Sequence, residues 1–242
     1  MSISKSPLRL GYSHATLMRL KRLAVTEPFS GTNMPNSVTT VETVGSAKTA
    51  KVHAASKDRP LAERDDVTVD ELERLPLPFP AELYDGKVVF KMPNLAHGII
   101  QNNIGSEIKN YLKIHPIGVV SGDTNFRLWP ERATASRAPD VSFILKDRLP
   151  DNLYSYPAMA PDLAVEILSP DDSFEDMMEK GDEYLSRGSK LVWIVITRTR
   201  EVMVCSKQGK HSVKDTLVAP ELLPGFELPV EDIFVGLEKS GQ

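Results

Sequence analysis

The chain has 242 residues, of which 41% are apolar and 26% charged, a length that suits one domain of ordinary size plus a tail and a composition that excludes fibrous classes and disorder throughout. Cys205 is the only cysteine, which excludes an intramolecular disulfide framework and any zinc site built on several thiolates, and fits a reducing cytoplasm. Residues 1–60 carry nine Lys or Arg against three Asp or Glu and the remainder 20 against 30, so +6 and −10 add to the net −4; a body this acidic cannot hold a polyanion through a broad basic surface.

Residues 1–65 lack a sustained apolar period and are expected to be a disordered N-terminal extension. Within them only Ala15 to Val25 suits a short amphipathic helix, and Met34 is an alternative start. Five basic side chains and no acid in the first 26 residues are a weak cue for targeting or for nucleic-acid contact, but no apolar h-region follows, so a secretory signal is not expected. No apolar run approaches the length of about 18 residues that a membrane-spanning helix needs.

A folded domain is expected over 66–237. Thr68 followed by Glu71 has capping-box spacing and opens a short helix through Leu75, ended by Pro76, Pro78 and Pro80. Ala81 to Met92 reads as a hairpin turning at Asp85-Gly86, residues that tolerate the positive φ of a type I′ turn. Ile99, Ile100, Ile104, Ile108, Tyr111 and Leu112 recur with helical spacing over Ala96 to Lys113, with Asn94 as the cap. Strands are expected at Gly118 to Trp129, Pro139 to Leu145, Asp162 to Ser169, Leu191 to Thr197 and Val202 to Lys207, with a second long helix at Ser173 to Arg187. The order β-β-α-β-β-β-α-β-β implies an α/β fold, a mixed sheet packed with helices. Phosphate-binding glycine loops, His-Glu-x-x-His and Gly-x-Ser-x-Gly are all absent from the sequence.

Three segments carry the chemistry. In Arg137-Ala-Pro-Asp140 an acid stands at the head of an apolar strand, a place where a Pro-Asp pair is more often turn chemistry. In Asp162-Leu-Ala-Val-Glu166-Ile-Leu-Ser-Pro170 a Glu stands among strand residues that packing would keep apolar, and a buried carboxylate is costly without a partner. The helix then presents Asp176, Lys180 and Tyr184 at steps of four, with Lys180 at the flank of its apolar face, from where it can reach inward over the strand ends. Two carboxylates on neighbouring strands can hold Mg²⁺ or Mn²⁺, and a nearby ammonium can orient an attacking water and offset charge on phosphate. Glu82 is a further candidate metal ligand and His97 a candidate phosphate contact, the histidine weighed against a capping or packing role. Trp129 and Trp193 read as core rather than as base-stacking surfaces.

These motifs, with Glu82-Leu-Tyr-Asp-Gly86, Ala96-His-Gly98, Gly188 and Trp193-Ile-Val, resemble the Uma-two family of restriction-endonuclease-like proteins. The likeness runs from about Asp66 to Phe234. The resemblance implies a PD-(D/E)xK nuclease fold, restriction-endonuclease-like, with Asp140 and Glu166 as metal ligands and Lys180 completing the catalytic set. Leu168 stands where the superfamily carries its lysine, so the ammonium has to come from the following helix. The implied activity is a divalent-metal-dependent endonuclease acting on DNA. The alternative is a nuclease-fold protein that binds nucleic acid or another partner without cutting. A homodimer whose interface is the main role is a third reading, on which the sequence is silent.

Overall fold

The computed structural model describes residues 59–169 and 172–237. The expected helix at Ala15 to Val25 and the alternative start at Met34 lie outside the described residues. Six strands form the central mixed sheet in the order β3-β4-β5-β6-β7-β8, where β3 is Gly118–Gly122, β4 Val141–Leu145, β5 Leu163–Leu168, β6 Leu191–Ile196, β7 Glu201–Ser206 and β8 Gly209–Val213. Only β5 and β6 run parallel, and the 13-residue helix α3 (Phe174–Ser186) lies between them in sequence, as a parallel pair requires a crossover.

The hairpin β1 (Ala81–Tyr84) and β2 (Lys87–Phe90) turns at Asp85 and Gly86, with φ of 46° and 84°, the two positive values of a type I′ turn. Ahead of it α1 (Val69–Arg74) is capped by Thr68, whose hydroxyl accepts from the Glu71 amide at 3.2 Å. Asn94 caps α2 (Leu95–Ile114) in the same way by accepting from the His97 amide.

Strand alternation sorts the core into two faces. Val141, Phe143, Leu163, Val165, Ile167, Trp193 and Val195 pack with Ile100, Ile104 and Ile108 of α2. The same cluster takes in residues of β9 (Thr216–Ala219), β10 (Leu223–Pro229) and α4 (Val230–Ile233). The intervening residues Ile144, Ala164, Val192 and Ile194 pack on the other face with Tyr184 and Leu185 of α3 and with Trp129. A side-chain period of two places Glu166 on this second face, two residues beyond Ala164. Both tryptophans are core residues.

Differences from expectation sit at the margins. The extended segment foreseen from Gly118 to Trp129 ends as a strand at Gly122, because Asp123 takes a positive φ of 48° and turns the chain; Phe126 regains one isolated bridge, to Arg137. The last expected strand ends at Lys207, yet β8, β9, β10 and α4 follow. Among the described residues no helix is long and apolar enough to cross a membrane.

Candidate active site

β4 and β5 are antiparallel with Val141 opposite Val165, Ser142 opposite Ala164 and Phe143 opposite Leu163. Continuing that register by one residue sets Asp140 opposite Glu166, and residues directly opposite in an antiparallel pair project to the same side. The contact at the strand ends is direct: Oδ2 of Asp140 accepts from the backbone amide of Ile167 at 2.6 Å. Both carboxylates are buried.

Lys180 arrives from α3. Its Nζ lies 2.9 Å from Oε1 of Glu166 and 2.8 Å from Oε1 of Glu82, so the ammonium joins β5 to β1. Tyr184, one helical turn on, donates its hydroxyl to the same Glu166 oxygen at 2.7 Å. Glu82 is held by two further donors, the Ala138 amide at 2.7 Å and the Tyr84 hydroxyl at 2.8 Å. Asp140, Glu166, Lys180 and Glu82 are therefore brought into one buried cluster. The partner that a surface reading would give Lys180, Asp176 one turn earlier, is not the one it takes.

A second ammonium enters the cluster from a place the sequence reading passed over. Lys91, just past β2, is in ion-pair contact with Oδ1 of Asp140 and donates to the Ala138 carbonyl at 2.7 Å. His97 Nε2 lies 3.2 Å from that same Asp140 oxygen, so His97 meets an acid and not a solvent-facing surface. Gln101, one turn further along α2, donates to Asp123 at 2.7 Å and to the Asp140 carbonyl at 2.8 Å. Local sequence offers one cue to Lys91, a lysine ending an apolar strand, and nothing that pairs it with an acid 49 residues away.

The framework around the cluster is tied by Arg137. Its guanidinium forms a two-pronged pair with Glu183 of α3 at 2.7 and 3.0 Å, donates to the carbonyls of Leu83 and Ser136, and stacks 3.7 Å from the Tyr84 ring centroid. One side chain thus fastens α3, β1 and the segment leading into Asp140.

The electrostatics separate the two strand acids. Burial pushes the Glu166 carboxyl up to about 7, against the pull of Lys180 and Lys91. Burial would also raise Asp140, but Lys91 and His97 outweigh it and hold that carboxyl well below the usual range. Glu82 is likewise lowered despite burial, chiefly by Lys180. Three carboxylates against two ammoniums leave one negative charge in excess, and Glu166 is the group placed to shed it by taking a proton. A proton on Glu166 and two buried cations offset part of the desolvation cost of holding these acids together.

Among the described residues no three or more His, Cys, Asp or Glu side chains are arranged as a ready metal cage. Asp140, Glu166 and Glu82 nevertheless offer hard carboxylate oxygens. Mg²⁺ takes only one or two protein carboxylates and fills its remaining positions with water and phosphate. The donor set fits that class of ion.

Comparison with known proteins agrees with this architecture. The family described as "Uma2: Putative restriction endonuclease" matches residues 69–231. A crystal structure of a "putative nuclease belonging to DUF820" from Anabaena variabilis is similar at a TM-score of 0.58 and 26% sequence identity, covering 69% of this chain and 97% of that one. No curated protein matches the chain. The fold is restriction-endonuclease-like, a mixed sheet flanked by helices.

Proposed function

We infer that this chain, which belongs to the Uma2 family of restriction-endonuclease-like proteins, is a divalent-metal-dependent endonuclease that hydrolyses phosphodiester bonds of DNA in the cytoplasm. Residues 66–237 form its nuclease domain. The observation that carries the reading is the convergence of Asp140, Glu166 and Glu82, from three separate segments, on a lysine held 2.8 to 2.9 Å from two of them. A purely structural core would be as stable or more so with apolar residues in these places.

In this reading Asp140 and Glu166 hold Mg²⁺ or Mn²⁺, and Glu82 supplies a further oxygen. A bound divalent ion lowers the pKa of a coordinated water and offsets charge on the phosphate. The chain's own groups do the rest. Tyr184 fixes one Glu166 oxygen by its hydrogen bond, leaving the carboxylate a single orientation. Lys180 Nζ, positioned by Glu82, orients the attacking water and stabilises negative charge on the phosphate oxygens. Lys91 and the Ile167 amide together fix both oxygens of Asp140.

One observation favours the second reading, a nuclease-fold protein that binds without cutting. The carboxylates already have cationic partners, and Lys91 on Asp140 is a competitor that a metal must displace. Incubation of the purified protein with supercoiled plasmid decides between them. Cutting with Mn²⁺ that stops on chelation, and that Asp140→Asn abolishes, is the expected result. Retention of both the plasmid and a single-stranded circular DNA intact in Mg²⁺ and in Mn²⁺ overturns the endonuclease reading in favour of the binder.

A further inference from the structure

A shallow, open cleft of about 520 Å³ is lined by residues of the proline-rich segment Leu75 to Ala81, by the loop Leu153 to Tyr156, and by Asp123, Thr124 and Asn125. Two of its lining residues adjoin the cluster, one in sequence and one through side-chain contacts. Ala81 precedes Glu82 in β1, and the Asp123 carboxylate accepts from Gln101 and lies 3.7 Å from the Nζ of Lys91, the lysine that pairs with Asp140.

Two aromatic residues of the lining are exposed. Phe79 is 44% exposed and Tyr154 is 99% exposed, far above the usual state of such rings. Neither is loosely presented. Phe79 stands between Pro78 and Pro80, which restrict its backbone, and the Pro80 carbonyl accepts from the Lys91 amide at 2.8 Å. Tyr154 rides on a turn closed by Asn152, whose side chain accepts from the Tyr154 amide and donates to Ser155. Ordered backbone holds both rings toward solvent.

We propose that this cleft seats an unpaired base of a DNA strand on Tyr154 and Phe79 and thereby directs the acid cluster to single-stranded DNA. The proposal rests on the nuclease reading for its choice of ligand. Two features select a base rather than a phosphate. The body from residue 61 onward carries −10, so phosphate contributes little to affinity and a neutral surface has to supply it. Exposed aromatic rings supply it by stacking, which works for every base because each has a π-face. In a duplex both faces of a base are already stacked, so only an unpaired strand can use the cleft. The tryptophans, by contrast, are buried and cannot stack on a base.

The test is fluorescence anisotropy of the full chain with a labelled oligodeoxyadenylate, single-stranded or annealed to its complement, in chelator so that nothing is cut. The parent is expected to bind the single strand more tightly than the duplex. Tyr154→Ala and Phe79→Ala should each weaken single-strand binding roughly ten-fold. Tyr154→Phe should retain it, because the ring and not the hydroxyl stacks. The exposure of Tyr154 leaves little packing to lose, so its variants should melt with the parent. Equal affinity of parent and Tyr154→Ala, failure of Tyr154→Phe to rescue, or a parent that binds neither probe or prefers duplex overturns the proposal. Cutting of plasmid and of single-stranded circular DNA is scored separately. A protein that cuts but binds single strands independently of Tyr154 loses the cleft and keeps the nuclease reading, and one that never cuts but shows the Tyr154 dependence does the reverse.

Discussion

The hydroxyl of Tyr184 donates to Oε1 of Glu166 at 2.7 Å, inside the core and on the oxygen that Lys180 also contacts. A buried hydrogen bond to a carboxylate contributes roughly 1.5–3 kcal/mol when the acceptor is ionised and about 1 kcal/mol when it is neutral. Because burial raises the Glu166 carboxyl to about 7, Glu166 is only partly ionised at neutral pH, and Tyr184→Phe is expected between these two figures. Its cleavage rate should fall while its affinity for metal changes little, since Lys180 still restrains the carboxylate. Thermal melts and plasmid cutting at saturating Mn²⁺ check both. Unchanged cutting would mean that the bond holds the fold together and does not orient the acid.

Arg137 is expected to act on the site from outside it. Its fork on Glu183 and its bonds to the carbonyls of Leu83 and Ser136 join the three segments that deliver Lys180, Glu82 and Asp140. Lysine cannot reproduce a planar fork stacked on Tyr84. Arg137→Lys should cost roughly 2–3 kcal/mol, a figure kept below that of a fully buried pair because Glu183 is 34% exposed. A melting temperature equal to the parent's would remove Arg137 from the framework.

Lys180 holds two buried acids. Lys180→Met leaves both without their cation, a change that costs about 3 kcal/mol where protonation does not relieve it. The same change should abolish cutting. Stability should return on adding Mn²⁺, because a divalent ion replaces the missing positive charge, and the metal-induced rise in melting temperature should exceed the parent's. A smaller rise than the parent's would show that Lys180 supports the metal position.

Much of this was legible in the sequence because it is written in short-range patterns. The caps at Thr68, Asn94 and Ser173 and the Asp85-Gly86 turn depend on residues within a few positions of one another. The strand alternation of Leu163 to Leu168 exposes Glu166 as an anomaly without any structure. Lys91 was missed because its partner is supplied by tertiary packing and not by spacing. Strand β8, Gly-Lys-His-Ser-Val, is exposed along nearly its whole length, so it has no buried face to impose a pattern. In β10 a register shift between Leu223 and Glu227 interrupts the pairing with β9, and the alternation that marks a strand is broken there.

Lys91 and a divalent ion are expected to compete for Asp140, because the ammonium already occupies the Oδ1 that a metal would need. Metal binding to the parent therefore carries the cost of breaking a buried ion pair and of removing the proton from Glu166. Saturation at about 100 times the dissociation constant should still stabilise the fold by roughly 2.7 kcal/mol, read as a higher melting temperature in Mn²⁺ than in chelator. Lys91→Met removes the competitor. It should bind Mn²⁺ more tightly than the parent while being less stable in chelator, since Asp140 then keeps only His97 and the Ile167 amide. Glu166→Gln should separate from both. Its amide oxygen can still accept from Tyr184 and no charge is left without a cation, so the metal-free protein should melt near the parent, while the response to Mn²⁺ should largely vanish. If Glu166→Gln responds to Mn²⁺ as the parent does, Glu166 is not a ligand, and the protein that binds without cutting becomes the better reading of this cluster.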